Sequence, residues 1–290
     1  MATYLNAYEL TKQIRMGLNE YDVIDENYLQ GVDESGAYQN DYLLQQINNS
    51  QRYIYNSIMK KERGIFLKET SLTGVDSVFT LPWDFGYVGE FRDDNGYKVY
   101  NTKPVSFRPT DATGNKSCYY RKGNTFVVDK SSISLTYKLY YYSKPRDLDM
   151  GTCASGSATE IKLATSAKKL ADYYNGMIIE NITSDWVDTI SDYTASRVAT
   201  ITETAAQGET YGIVSELPEP FHFLIPIRTL MEIKASNPVV YDTPSKEEIM
   251  FFNEQFNEAL NSYAGSQEDE SIEDMFTDFE PATFNVYYNN

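Results

Sequence analysis

Apolar residues recur at helical spacing near both ends of this chain, whereas the stretch between them alternates apolar and polar side chains. Helices and strands must therefore share one polypeptide. At the N-terminal end, Leu10, Ile14 and Leu18, with the adjoining Tyr21, predict a helix over residues 4–20. Leu43, Ile47, Ile54 and Ile58, with Ser50 in the same line, predict a second over residues 39–62, ending at Gly64. Residues 22–38 between them mix Asp, Gly, Ser and Asn and read as a long loop. Residues 216–236 return to helix: Pro220 suits a first turn, Pro226 kinks the helix or resets its start, and Asn237-Pro238 stops it. A last helix is stapled by Ile249, Phe252, Phe256, Leu260 and Tyr263, with Thr243 as N-cap, Pro244 in the first turn and Gly265 as terminator.

From Ile65 onward the period is that of strands. Residues 65–72 and 77–81 around Thr73-Gly74 read as a hairpin. Residues 88–92 and 97–100 flank Asp94-Asn95-Gly96, and residues 117–121 and 125–129 flank Gly123-Asn124. Such pairs tolerate positive φ and favour tight turns. Ile133, Leu135, Tyr137, Leu139 and Tyr141 share one side of a further strand, so the sheet is antiparallel with one covered face. Pro145, Gly151, Gly156 and Ser157 mark a break in composition. Beyond it, residues 159–163, 177–182, 189–194 and 197–202 predict a second, smaller β module, with a short helical turn at 167–170. The expected fold class is α+β: an α-helical bundle built from both ends of the chain, carrying an inserted antiparallel β-domain and a second small β module. The divisions are residues 1–63 and 217–264 for the two halves of the helical part, 64–150 for the β-domain, 151–216 for the module, and 265–290 for an acidic, aromatic C-terminal arm.

Composition narrows the function. At 290 residues and 41% apolar content, the chain is ordinary for a globular protein, and no apolar run is long enough for a transmembrane helix. Residues 1–6 lack the basic and apolar regions of a signal peptide, and Cys118 and Cys153, far apart in sequence, do not make a disulfide framework. A reduced intracellular birthplace follows as the expectation. The net charge of −17 argues against tight general DNA binding, which rests on clustered Lys and Arg. That charge is segregated: residues 200–290 hold 3 basic and 17 acidic side chains, whereas residues 103–146 hold 9 basic ones against Asp111 and Asp129. Acidic and basic faces of this kind can meet across copies of a subunit and fix its register.

No catalytic constellation is legible. The chain has no Walker loop, no G-x-G-x-x-G, no H-E-x-x-H, no G-x-S-x-G and no C-x-x-C. Its one histidine, His222, sits between Phe221 and Phe223 and reads as a packed, hydrogen-bonded side chain. Adjacent acids such as Asp93-Asp94 and Glu247-Glu248 are what chance gives among 42 carboxylates. No enzyme, cofactor or metal site is expected. The paired tyrosines Tyr119-Tyr120, Tyr140-Tyr141-Tyr142 and Tyr173-Tyr174 read as cross-strand packing, with burial between subunits as the alternative. The arm holds seven acids between Glu268 and Glu280 and no base, yet carries Met275, Phe276, Phe279, Phe284, Val286, Tyr287 and Tyr288. Those seven side chains are the candidate partner-binding residues, because an idle solvated tail has no need of them.

The order of elements resembles the head-to-tail adaptor (connector) proteins of tailed bacteriophages. The resemblance is carried by Leu43-Leu44-x-x-Ile47-Asn48 leading to Arg52-x-Ile54, by the Leu81-Pro82-Trp83-Asp84-Phe85 turn, and by Leu217-Pro218-Glu219-Pro220 before Leu224-Ile225-Pro226-Ile227. Asp172-Tyr173-Tyr174-Asn175-Gly176-Met177 and Ser191-Asp192-Tyr193 with Arg197-Val198 look like a small β module inserted in virion proteins. These motifs are short and degenerate, and in order they touch most of residues 39–264. What the resemblance implies is a structural subunit of the virion neck, made in the host cytoplasm. It would form a ring of about twelve copies beneath the portal, extend the DNA channel past which DNA moves without specific contact, and offer tail or second-ring proteins a docking surface. Arms at the C-terminus of such proteins often grip the portal. The inserted module departs from the simplest adaptors, which leaves a second neck or tail ring that does not touch the portal as one alternative. A carbohydrate- or receptor-binding virion module is another, and a hydrolase with an unrecognised carboxylate pair a third.

Overall fold

A computed structural model describes residues 5–18, 39–61, 63–74, 77–101, 118–128, 136–238 and 240–267. Among them run four α-helices, α1 Ala7–Gly17, α2 Asn40–Lys61, α3 Leu224–Ser236 and α4 Lys246–Gln267, against fifteen strands. The strands form four sheets. In the first, β1 Leu67–Thr73 and β3 Phe85–Asp93 flank β7 Thr136–Ser143. The second orders β2 Val78–Thr80, β6 Thr125–Val128, β5 Cys118–Lys122 and β4 Tyr100–Asn101, and its β4–β5 pair is parallel. The third orders β12 Trp186–Thr189, β11 Ile178–Asn181, β15 Thr210–Ile213 and β8 Met150–Thr152. The fourth orders β13 Asp192–Tyr193, β14 Val198–Thr200, β10 Glu160–Lys162 and β9 Ser155–Gly156.

This overturns the expected helical bundle with β insertions. Most elements are strands, and the helices do not own a core. Leu10, Ile14, Leu43, Ile47, Ile54 and Ile58 are fully buried, as their spacing predicts. They belong, however, to one apolar cluster with Met150, Ile161, Tyr174, Ile179, Tyr211 and Ile213 from the third and fourth sheets and their loops. The helices touch one another, yet their apolar faces also need the strands. A second cluster joins the first two sheets through Phe79, Phe91, Phe126, Tyr137 and Leu139, with edge-on and stacked ring pairs 4.7–6.2 Å apart.

Polar side chains fasten the helices to the strands. Asn6 caps α1 by accepting from the Glu9 N–H at 2.9 Å, donates to Glu180 of β11, and bridges by backbone to Val214. Gly212 of β15 lies so close that a Cβ there would stand 2.6 Å from the Asn6 Oδ1. On α2, buried Asn48 donates to the Leu148 carbonyl at 3.1 Å and accepts from its N–H at 2.7 Å. Gln51 donates to the Arg146 carbonyl at 2.7 Å and accepts from the Ser215 hydroxyl. The segment joining β7 to β8 is thus held against the polar stripe of α2, which satisfies backbone groups of Arg146 and Leu148.

Several local expectations are corrected. β1 and β2 are not a hairpin: β1 pairs with β7 and β2 with β6, with Ser77 at φ +65° where the chain changes sheets. Residues 150–152, read as part of a break, and 210–213, placed in the module without a strand, are strands that pair with each other. Residues 190–191 interrupt the strand expected over 189–194, and residues 167–170 form no helical turn. Ser245, not Thr243, caps α4: its hydroxyl accepts from the Glu248 N–H at 3.1 Å while the Glu248 carboxylate accepts from the Ser245 N–H at 2.8 Å. The helix runs past Gly265 to Gln267. α3 begins at Leu224, so Pro226 falls in its first turn, where a missing N–H costs nothing. The Gly123-Asn124 turn joins β5 to β6, and Asp93 Oδ1 accepts from the Asn95 and Tyr97 N–H groups in the turn at Gly96 (φ +82°).

Candidate interaction surface

The seven arm residues, Met275, Phe276, Phe279, Phe284, Val286, Tyr287 and Tyr288, lie outside the described residues. What the fold does assemble is a cleft of about 320 Å³ where four segments meet. Arg52 and Asn56 come from α2, Trp83 from the turn into β3, Tyr87 from β3 itself, Lys144 from the end of β7, and Tyr173 from the second module. The Trp83 ring is stacked at a tilt of 34° on Tyr173, centroids 4.8 Å apart, and the Arg146 guanidinium sits 5.6 Å over it. Local geometry explains why Trp83 stays at the rim. Pro82 and the tight turn deliver Asp84 inward, where it accepts from Lys68 at 3.0 Å and from the Tyr141 hydroxyl at 2.9 Å. Tyr87, by contrast, is 61% exposed.

Electrostatics give the cleft a sign opposite to that of the whole chain. Its carboxylates are spent inside the fold: Asp84 on Lys68, Asp147 on both Arg52 and Lys168, and nearby Glu216 on Arg146. Burial pushes the Glu216 carboxyl up, but the hydrogen bond and charge of Arg146 outweigh it and leave it lowered. Lys144 is exposed, and no described carboxylate pairs with it. Burial pushes the phenols of Tyr55 and Tyr173 up to about 12, so both stay neutral donors or acceptors. The Tyr173 hydroxyl accepts from the Asp147 N–H at 2.8 Å.

Two shallower grooves, of about 530 and 450 Å³, run between α2 and the second module, sharing Asp41, Leu44 and Ser166. Asp149 lines the latter groove but is almost fully buried, and its carboxyl is pushed up to about 6 by that burial against the opposing hydrogen bond from Tyr211. A second apolar surface lies on the first turns of α4, where Met250 and Phe251 are 60% and 50% exposed, and Ile249, expected in the buried stripe, is exposed beside them. The stripe expected there is otherwise in place, with Phe252 and Phe256 buried.

His222 is buried, with Nδ1 accepting from the Leu5 N–H at 3.2 Å and Nε2 against the Leu217 carbonyl at 2.6 Å. Burial lowers its pKa and favours the neutral ring. In the tyrosine runs Tyr119, Tyr141 and Tyr174 are buried and their neighbours partly exposed, by strand alternation for the first two, whereas Tyr173 and Tyr174 lie in a turn between β10 and β11. Among the described residues, no group of three or more His, Cys, Asp or Glu could hold a metal ion, and no helix is long and apolar enough to cross a membrane.

Arg52, Trp83 and Tyr173 stand in separate motifs along the sequence, and only the fold brings them together. No period links them, since the cleft draws on four segments. The one local signal was a large aromatic beside proline in a turn, where burial is hard to achieve. No protein-family model matches the chain, and no curated protein gives a significant sequence match.

Proposed function

We propose that this chain is a structural subunit of a tailed-phage neck, a head-to-tail adaptor that assembles with copies of itself beneath the portal and presents a docking surface to tail proteins. The observation that carries the reading is the character of the uncovered surface. Among the large apolar side chains that stand in solvent are two groups in surroundings of opposite charge, Met250 and Phe251 among the acids of α4, and Trp83 and Tyr87 beside Arg52 and Lys144. Patches of that kind mark protein contacts rather than chemistry. Head-to-tail contact between unlike patches closes into a ring when the rotation allows it. The short motifs shared with adaptor proteins support the neck as the place.

A second reading, a carbohydrate- or receptor-binding virion module, draws on the Trp83 and Tyr87 rings. Mass photometry of the full chain, alone and mixed with the portal, separates the two. Closed oligomers that join the portal are expected. A chain that stays monomeric, ignores the portal and binds on a glycan array would overturn the adaptor reading.

A further inference from the structure

The cleft and the C-terminal segment of the same chain have complementary chemistry. At the cleft, Asp84, Asp147 and Glu216 are all engaged by cations of the fold, and Asp147 by two of them. Lys144, exposed, is left over and lines the same cleft as the exposed Trp83 and Tyr87 rings. An occupant must therefore bring negative charge and flat apolar groups together. Residues 268–290 carry seven acids, no base, and Phe276, Phe279, Phe284, Tyr287 and Tyr288 among them. A volume of about 320 Å³ is at the lower end for ligand sites, enough to take an aromatic anchor but not a folded element. The 23 residues beyond Gln267 span up to roughly 75 Å when extended, which is ample to leave one subunit and reach the next.

We propose that the cleft formed by Arg52, Trp83, Tyr87, Lys144 and Tyr173 is the receptor for the acidic, aromatic segment 268–290 of a neighbouring copy. This deepens the adaptor reading and rests on it for the source of the segment: the arm ties ring neighbours together. Phe276 or Phe279 stacks on Trp83 and Tyr87, and the flanking carboxylates meet Lys144 and the outer face of Arg52. The contact combines anchors in a groove with charge-assisted bonds at its rim. Its charged part is screened by salt, so occupancy falls as ionic strength rises.

The test uses the full chain with a benzophenone amino acid at Phe279, mixed half and half with copies labelled with heavy nitrogen, irradiated and read by mass spectrometry. The expected product is a crosslink between light and heavy copies, landing on the peptides that hold Trp83, Tyr87 or Tyr173. Lys144→Glu should lower its yield at least threefold, and 0.5 M salt should do the same. Lys162→Glu, at another exposed lysine on β10, should leave the yield unchanged. Crosslinks confined to one copy, crosslinks elsewhere, or a yield indifferent to Lys144→Glu would each overturn the proposal. Mass photometry of the same sample keeps the two failures apart. Oligomers without the cleft crosslink sink the arm and spare the ring, whereas monomers without it sink both.

Discussion

Replacing Asn48 by alanine is the sharpest test of how the helices are built into the strands. The Asn48 side chain satisfies both backbone groups of Leu148, its N–H at 2.7 Å and its carbonyl at 3.1 Å, and both residues are buried. Truncation leaves a donor and an acceptor unpaired, at about 1–3 kcal/mol each. Partial relaxation brings the sum to about 3 kcal/mol. For a chain of this size that corresponds to a fall in Tm of about 5 °C. The measurement is thermal unfolding followed by circular dichroism, with the neighbouring Asn49→Ala as reference. Asn49 is partly exposed and accepts only a long 3.5 Å bond from Arg52, so its loss should stay within about 0.5 kcal/mol. A shift of under 2 °C for Asn48→Ala, or equal shifts for both variants, would refute the latch between α2 and the segment leading to β8.

Two further outcomes follow from buried contacts. Asp149 binds its proton more tightly in the fold, with a pKa of about 6 against 3.8, so its stabilising contribution is complete below pH 3.8 and is lost as pH rises to about 6. Asp149→Asn should remove that slope and gain about 3 kcal/mol on the wild type between pH 4 and pH 7, read from urea midpoints at each pH; parallel curves for the two proteins would count against the assignment. Gly212→Ala would drive a methyl to 2.6 Å from Asn6 Oδ1 and 3.1 Å from the Tyr8 nitrogen. Because that oxygen also caps α1, the change should cost about 2 kcal/mol and speed hydrogen exchange at the Glu9 amide, and an unaltered Glu9 exchange rate would exclude the contact.

What was legible in the sequence was local. The stripes Leu10–Ile14 and Leu43–Ile47–Ile54–Ile58, the alternation of Tyr137, Leu139 and Tyr141, and the turns at Gly96 and Gly123 were all written in spacing and in residues that tolerate positive φ. Each of these signals is created by neighbours along the chain, so sequence by itself determines it. The partner of each stripe is another matter. A helix face that buries Leu10 and Ile14 gives the same pattern whether it meets a helix or the β8–β15 pair, and α1 packs against both.

Strands of three or four residues, such as β8 and β15, are too short to show a period, and they exist because distant segments offer them ladder partners. The cleft is of the same kind. Trp83, Lys144 and Tyr173 acquire a shared chemistry only because Asp147 and Glu216 draw Arg52, Lys168 and Arg146 together around them. The sequence determined which side chains avoid water and where the chain turns. Only tertiary structure decided which charges are cancelled inside the fold, because pairing depends on distances in space that spacing along a chain does not encode.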